Sequence, residues 1–191
     1  MPDRIFEILW VAGFVVASAI RVRYGTTRRR GARRGTKGPE LLLLFLSFLG
    51  MQLFPLIFLL TSWLGFADYR LPAPAGWFGA GVYAIGLWVL WRSHVDLGRS
   101  FSPTLEIKEG HVLVTNGVFA RIRHPMYAGH LLWAIGQPFL LQNWIAGWGF
   151  LLAQVLLYAW RVPREEKMML DHFGEAYREY MSRTGRLIPR L

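Results

Sequence analysis

The chain has 191 residues, 53% of them apolar and nine of them Trp, with 22 Lys and Arg against 12 Asp and Glu, a formal charge of +10 and no Cys. So much apolar and aromatic content is out of place in a soluble domain of this length and points to membrane residence. The absence of Cys excludes disulfides, thiolate nucleophiles, cysteine-held zinc and covalently attached haem.

A helix that crosses about 30 Å of hydrocarbon needs roughly 20 mostly apolar residues. The first such stretch is 5–20. Asp3 and Glu7 interrupt its basic flank and no small-residue cleavage site follows, so it is expected to remain as a helix rather than leave as a signal peptide. The second stretch is 41–64, followed by a short external turn over 65–76 that carries Pro72 and Pro74. The third is 77–91, where Gly79, Gly81 and Gly86 suit close helix packing.

From His94 the character changes. Asp96, Gly98, Arg99, Ser100 and Ser102 lead into an amphiphilic segment, 105–114, read as a cytoplasmic loop with short strands or turns, and Asn116-Gly117 marks a further turn. Residues 128–160 are long enough for two passes, with Gln142-Asn143 as the polar break of a tight helical hairpin. The predicted fold is therefore an all-α integral membrane protein with five transmembrane helices. Residues 1–95 form three anchor helices, and 96–191 form one cofactor-binding and catalytic unit. At Val162-Pro163 the fifth helix is expected to end or bend, because proline lacks a donor and restricts the residue before it. An amphipathic helix over 164–181 follows, with Leu170, Phe173, Tyr177 and Met181 at helical spacing, and Gly185 ends it.

The basic residues decide between nucleic acid and membrane topology. Eight lie between the first two helices (Arg21, Arg23, Arg28, Arg29, Arg30, Arg33, Arg34 and Lys37), five lie between Arg92 and Arg123, and seven between Arg161 and Arg190. With the amino terminus outside and five crossings, 20 of the 22 fall on the cytoplasmic side, together with the carboxyl terminus. Anionic lipid beside a basic juxtamembrane loop accounts for the arginine cluster, and no nucleic-acid partner is expected.

Two clusters could carry chemistry. Arg123-His124-Pro125-Met126-Tyr127 precedes the fourth helix, with Pro125 suited to its first position and Ala128 and Gly129 just behind. A helix amino terminus offers N–H groups to a carboxylate, His124 and Tyr127 offer directional hydrogen bonds, and small residues let a ligand approach. The competing reading is a snorkelling Arg123 and an interfacial Tyr127. The second cluster is Arg161-Val162-Pro163-Arg164-Glu165-Glu166, where Arg161 and Glu165 stand four apart, a spacing that an interfacial ion pair would also explain. Both clusters fall on one membrane face at the open end of one hairpin, so the fold should bring them together. His94, His130 and His172 lack the spacing of a metal site, and no metal is expected.

The blocks Gly110-His111-x-Leu113-Val114, Gly117-Val118-Phe119, Arg123-His124-Pro125-x-Tyr127, Arg161-x-x-x-Glu165-Glu166 and Phe173-Gly174-Glu175-x-Tyr177 resemble, in order and spacing, the isoprenylcysteine carboxyl methyltransferase family. The resemblance covers roughly 96–191 and suits a short, prokaryotic-type member; the first 95 residues match only as hydrophobic helices. It implies an S-adenosylmethionine-dependent enzyme whose cofactor is enclosed on the cytoplasmic side and whose lipophilic or lipidated acceptor arrives from the bilayer. By the same resemblance, His111, Val112, Leu113, Val114, Phe119, His124, Pro125, Met126, Tyr127 and Glu165 surround the cofactor. Arg161 takes the place associated with the methyl acceptor, so Arg161 and Glu165 are the implied catalytic pair. Phe119 departs from the pattern, since many relatives carry Tyr there. A carboxylate acceptor needs no general base.

Two other enzyme classes share parts of this pattern. A phospholipid N-methyltransferase would use the same cofactor but needs a route for an amine proton, and no base beside Arg161 stands out in the sequence. A membrane sterol or polyprenol reductase would use NADPH. A non-enzymatic scaffold would bind neither cofactor.

Overall fold

The computed structural model describes residues 3–25, 38–98 and 112–190, and among these there are helices, turns and two isolated backbone bridges but no strand. Helix α1 (Asp3–Gly25) is followed by α2 (Gly38–Phe48), a π turn (Leu49–Leu53) and α3 (Phe54–Leu60), which run on as one apolar rod. Helix α4 (Ala73–Leu97) leads, beyond the undescribed segment, to a 3₁₀ turn (Gly117–Ala120) and then to α5 (Pro125–Leu141), α6 (Trp144–Phe173) and α7 (Glu175–Arg183). The arginine cluster 28–34 and most of the amphiphilic segment 105–114 lie outside the described residues.

Among the described residues, four helices are long and apolar enough to cross a membrane: Arg4–Tyr24, Gly38–Leu60, Ala73–Leu97 and Trp144–Phe173. Helix α5 has 17 residues, a length of about 26 Å, and is the short member of the five expected crossings. It forms a tight hairpin with α6: Gln142 takes a left-handed φ of 47° and Asn143 caps α6 by accepting from the backbone N–H groups of Ile145 and Ala146. Asn143 Nδ2 also donates to Leu64 O and Asp68 Oδ1, both at 2.7 Å, which binds this hairpin turn to the turn after α3.

Apolar side chains cover the outer surface as well as filling the core. Val15, Val16, Leu41, Phe45, Trp88 and Leu152 are exposed, as lipid-facing residues should be, whereas Gln137 is fully buried. Gln137 makes four hydrogen bonds. Its Oε1 accepts from Trp10 Nε1 at 3.1 Å and Trp133 Nε1 at 3.0 Å, and its Nε2 donates to Gly50 O at 2.9 Å and Ala146 O at 2.7 Å. The Gly50 carbonyl needs this donor for a local reason. In the π turn, the Phe54 N–H goes to Leu49 O, and the next residue, Pro55, has no N–H to give to Gly50. One amide thus joins α1, the π turn, α5 and α6.

Helices α4 and α5 approach antiparallel through paired glycines. A Cβ on Gly79 would come within 3.0 Å of Gly136 O, and one on Gly86 within 2.9 Å of Gly129 O. This matches the expected packing role of Gly79 and Gly86, but Gly81 faces open space, and Gly129 is committed to α4 instead of lying open to a ligand.

Two boundaries differ from expectation. Helix α6 does not end at Pro163, because the ring sits on the exposed side and only one ladder bond is lost there. The expected amphipathic helix is instead cut at Gly174, whose φ of 55° stops α6 and lets α7 leave in a new direction. Gly185 lies beyond α7 in a bridge to Ile122.

Candidate functional site

Most of the candidate residues gather where α5 begins and α6 passes its last apolar turn. Residues 121–124 are held in place by the segment that follows α7. Arg123 N donates to Gly185 O at 2.9 Å, His124 N to Arg186 O at 3.0 Å, and Gly185 N to Arg121 O at 3.1 Å. Pro125 then starts α5, its preset φ matching the first helical turn.

Glu166 is the hub of this end. It is buried, and its Oε1 accepts from Arg123 Nε at 2.7 Å and Arg186 Nε at 3.1 Å, with His124 Nε2 at 3.2 Å. Its Oε2 accepts from Arg186 Nη2 at 2.6 Å. Arg123 also donates Nη1 to Thr184 O at 2.6 Å. One carboxylate therefore ties the α5 entry, α6 and the tail through charge-assisted bonds. The bonds to Glu166 hold the Arg186 guanidinium above the ordinary arginine range.

A second set lies beside the first. Tyr127 donates its hydroxyl to Glu165 Oε2 at 2.9 Å and packs edge-to-face on His124 and Tyr158. Arg161 Nη1 lies 3.8 Å from Glu40 Oε1, and the two side chains are only 11% and 8% exposed. Glu40 belongs to the first turn of α2, a segment in which no chemically active residue was expected, and it puts a carboxylate next to Arg161 where none was foreseen. The spacing of Arg161 and Glu165 suggested a pair with each other; the described contacts give Arg161 to Glu40 and Glu165 to Tyr127.

Phe119 is buried in the 3₁₀ turn, and its carbonyl accepts from Tyr180 Oη at 2.7 Å. Burial pushes the Tyr180 hydroxyl up to about 12 and raises that of Tyr177 as well, so both remain neutral donors at physiological pH. The turn is fixed to α4 by Asp96, which accepts from Val118 N at 2.9 Å and from Arg92 Nη2 at 2.8 Å. Gly117 has φ of 59° and lies so close to the Asp96 carboxylate that no Cβ would fit.

Of the sequence-predicted residues, the structure brings together His124, Pro125, Met126, Tyr127, Arg161 and Glu165. Val112, exposed, and Leu113 and Val114, half-buried, form the irregular lead-in to the Phe119 turn. His111 lies outside the described residues. Glu166, Arg186 and Glu40 were not singled out. The adjacent Glu165-Glu166 pair was a usable signal for the first, while no sequence period relates Glu40 or Arg186 to the cluster. His94 Nδ1 and His130 Nδ1 each lie 2.8 Å from the carbonyl one turn earlier, and His172 is exposed. A groove of about 520 Å³ between α1 and α4, lined by Arg23, Tyr24, Trp88 and Trp91 among others, opens near this end but includes none of these residues.

Residues 80–171 match the model of the isoprenylcysteine carboxyl methyltransferase (ICMT) family. The chain is 32% identical over 113 residues to protein-S-isoprenylcysteine O-methyltransferase of Schizosaccharomyces pombe, an alignment covering 58% of this chain and 48% of that protein. It is 34% identical over 114 residues to protein-S-isoprenylcysteine O-methyltransferase B of Arabidopsis thaliana, covering 59% and 58%. The matched region thus spans about half the length of these curated relatives. A solved structure of the eukaryotic intramembrane Ras methyltransferase ICMT superposes with a TM-score of 0.65 at 22% identity, covering 99% of this chain and 68% of that one. The fold likeness therefore includes the amino-terminal helices, which by sequence alone matched only as hydrophobic segments.

Proposed function

We propose that this chain, whose residues 80–171 match the isoprenylcysteine carboxyl methyltransferase family model, is an S-adenosylmethionine-dependent membrane enzyme that methylates the carboxylate of a lipophilic, isoprenylcysteine-like acceptor. One observation carries the reading. Tyr127 and His124 from the start of α5 converge with Arg161, Glu165 and Glu166 of α6 at a single end of the bundle.

The residues present fit the cofactor. S-adenosylmethionine supplies a methyl group on a cationic sulfonium, an electrophile that needs a nucleophile in line and no acid. The Glu165 carboxylate and the Tyr127 hydroxyl offer anionic and acceptor groups to a cation. Val112, Leu113, Val114, Phe119, Pro125 and Met126 supply apolar walls in the same region, with His111 at its edge in sequence. His124 and Arg123 act by holding the α5 entry through Glu166. Arg161 holds the acceptor carboxylate, and because the attacking oxygen is already ionised, positioning does most of the work.

The topology that serves this chemistry has five crossings, α5 included, with the amino terminus outside and the cluster and carboxyl terminus in the cytoplasm. The 20 basic residues on that side support it. The acceptor reaches the site from the bilayer.

Glu40 is a specific observation in favour of a second reading, transfer to a phospholipid amine, since it places a carboxylate beside Arg161 that could take an amine proton. Purified protein with labelled S-adenosylmethionine, offered a prenylcysteine analogue or phosphatidylethanolamine, separates the two. Methylation of the amine alone overturns the carboxylate assignment, and binding of NADPH in place of S-adenosylmethionine overturns both.

A further inference from the structure

We infer that Glu40 tunes how strongly Arg161 grips the methyl acceptor, so that the amino-terminal helices complete the acceptor site as well as anchoring it. This inference rests on the proposed carboxylate methylation.

Three features of Glu40 point to this role. Its carboxylate is buried and lies 3.8 Å from Arg161 Nη1. It sits in the first turn of α2, so the carboxylate beside Arg161 comes from the amino-terminal helices. The contact joins two segments far apart in sequence, so α2 must be seated on α6 for it to exist.

The reaction explains why a second carboxylate belongs there. The acceptor oxygen bonds to the methyl carbon as the methyl–sulfur bond breaks, with the electron pair of that bond remaining on sulfur. The products are a neutral ester and a neutral thioether, and no proton moves. The acceptor's negative charge therefore fades on the way to the transition state. An ion pair with an undamped, buried Arg161 would stabilise the bound carboxylate more than the transition state, which tightens binding and slows transfer. Glu40 already offsets part of the guanidinium charge and reduces that penalty. It is a positioning residue, acting through Arg161.

The test uses full-length protein in detergent or nanodiscs, with N-acetyl-S-farnesylcysteine as acceptor. Replacement of Glu40 by Gln (E40Q) should lower acceptor KM and kcat together, each by about threefold to tenfold, leaving kcat/KM and S-adenosylmethionine affinity nearly unchanged. Glu40→Asp keeps the charge and should return both constants toward wild type. A fall in kcat with KM unchanged or raised overturns the inference and leaves Glu40 a structural residue. Direct titration of the same farnesylcysteine carboxylate, without cofactor, reads the inference independently of turnover: E40Q should bind more tightly, and equal affinity overturns it. Should E40Q fail to fold, Glu40→Ala takes its place in the titration and should likewise bind the carboxylate more tightly; equal affinity overturns the inference. A wild-type protein that binds this acceptor but never methylates it would remove the functional reading while the binding comparison still decides the role of Glu40.

Discussion

Arg186, three residues beyond the end of α7, grips both oxygens of Glu166 in α6, with Nε 3.1 Å from Oε1 and Nη2 2.6 Å from Oε2. The tail is thereby part of the site's framework, since the same segment holds Arg123 and His124 by backbone hydrogen bonds. Replacing Glu166 with Gln should leave the buried Arg123 without its counter-charge. We expect a loss of about 2–4 kcal/mol of stability and a marked loss of S-adenosylmethionine affinity. Arg186 is half exposed, so Arg186→Ala should cost less, about 1 kcal/mol. Thermal unfolding in detergent and cofactor titration check both; equal costs for the two variants would deny Glu166 its central place.

Arg161→Ala should lower turnover by about 100-fold or more while cofactor affinity changes little, because the acceptor carboxylate loses its holder. His124→Ala should weaken cofactor binding, because His124 helps fix the start of α5 through Glu166. Methyl-transfer rates paired with binding titrations distinguish these roles, and parallel losses in both quantities for both variants would contradict the division.

Gln137→Leu removes four buried hydrogen bonds at the junction of α1, the π turn, α5 and α6. A cost of about 3 kcal/mol is expected, part of it from the Gly50 carbonyl left without a donor. Pro55→Ala restores a backbone N–H within reach of that carbonyl. The loss caused by Gln137→Leu should therefore be smaller in a Pro55→Ala background. A double-mutant cycle of unfolding free energies measures this, and strict additivity would refute the account of the orphaned carbonyl.

Gly86→Ala should separate α4 from α5, since its Cβ would lie 2.9 Å from Gly129 O. A destabilisation of about 1–3 kcal/mol is expected. Gly81→Ala, in open space on the same helix, should be neutral or slightly stabilising. Thermal unfolding of the two variants provides the comparison.

The limits of sequence reading show at particular residues. Long apolar runs announced their helices because a bilayer-sized run has few alternatives, and the Gln142-Asn143 turn was legible from its polarity. Of the end or bend expected at Pro163, the end does not occur, because a single missing N–H on an exposed face costs a helix too little to stop it. Gly174 gave the true break through its left-handed backbone, a property that one glycine among 20 does not advertise. At the site, the order of Arg123 to Tyr127 and Arg161 to Glu166 was visible, but their partners were not.

By itself, the sequence determined membrane residence, the helical class and the two clusters that meet at one end of α5 and α6. These depend on composition and on spacing along the chain, which local physics translates directly into helices and turns. Only the tertiary structure decided that Glu40 of α2 faces Arg161, that Arg186 of the tail closes on Glu166, and that Gln137 answers the carbonyl that Pro55 leaves free. Such pairings depend on which helices touch and at what height, and a buried charge or carbonyl takes whichever partner packing brings within reach.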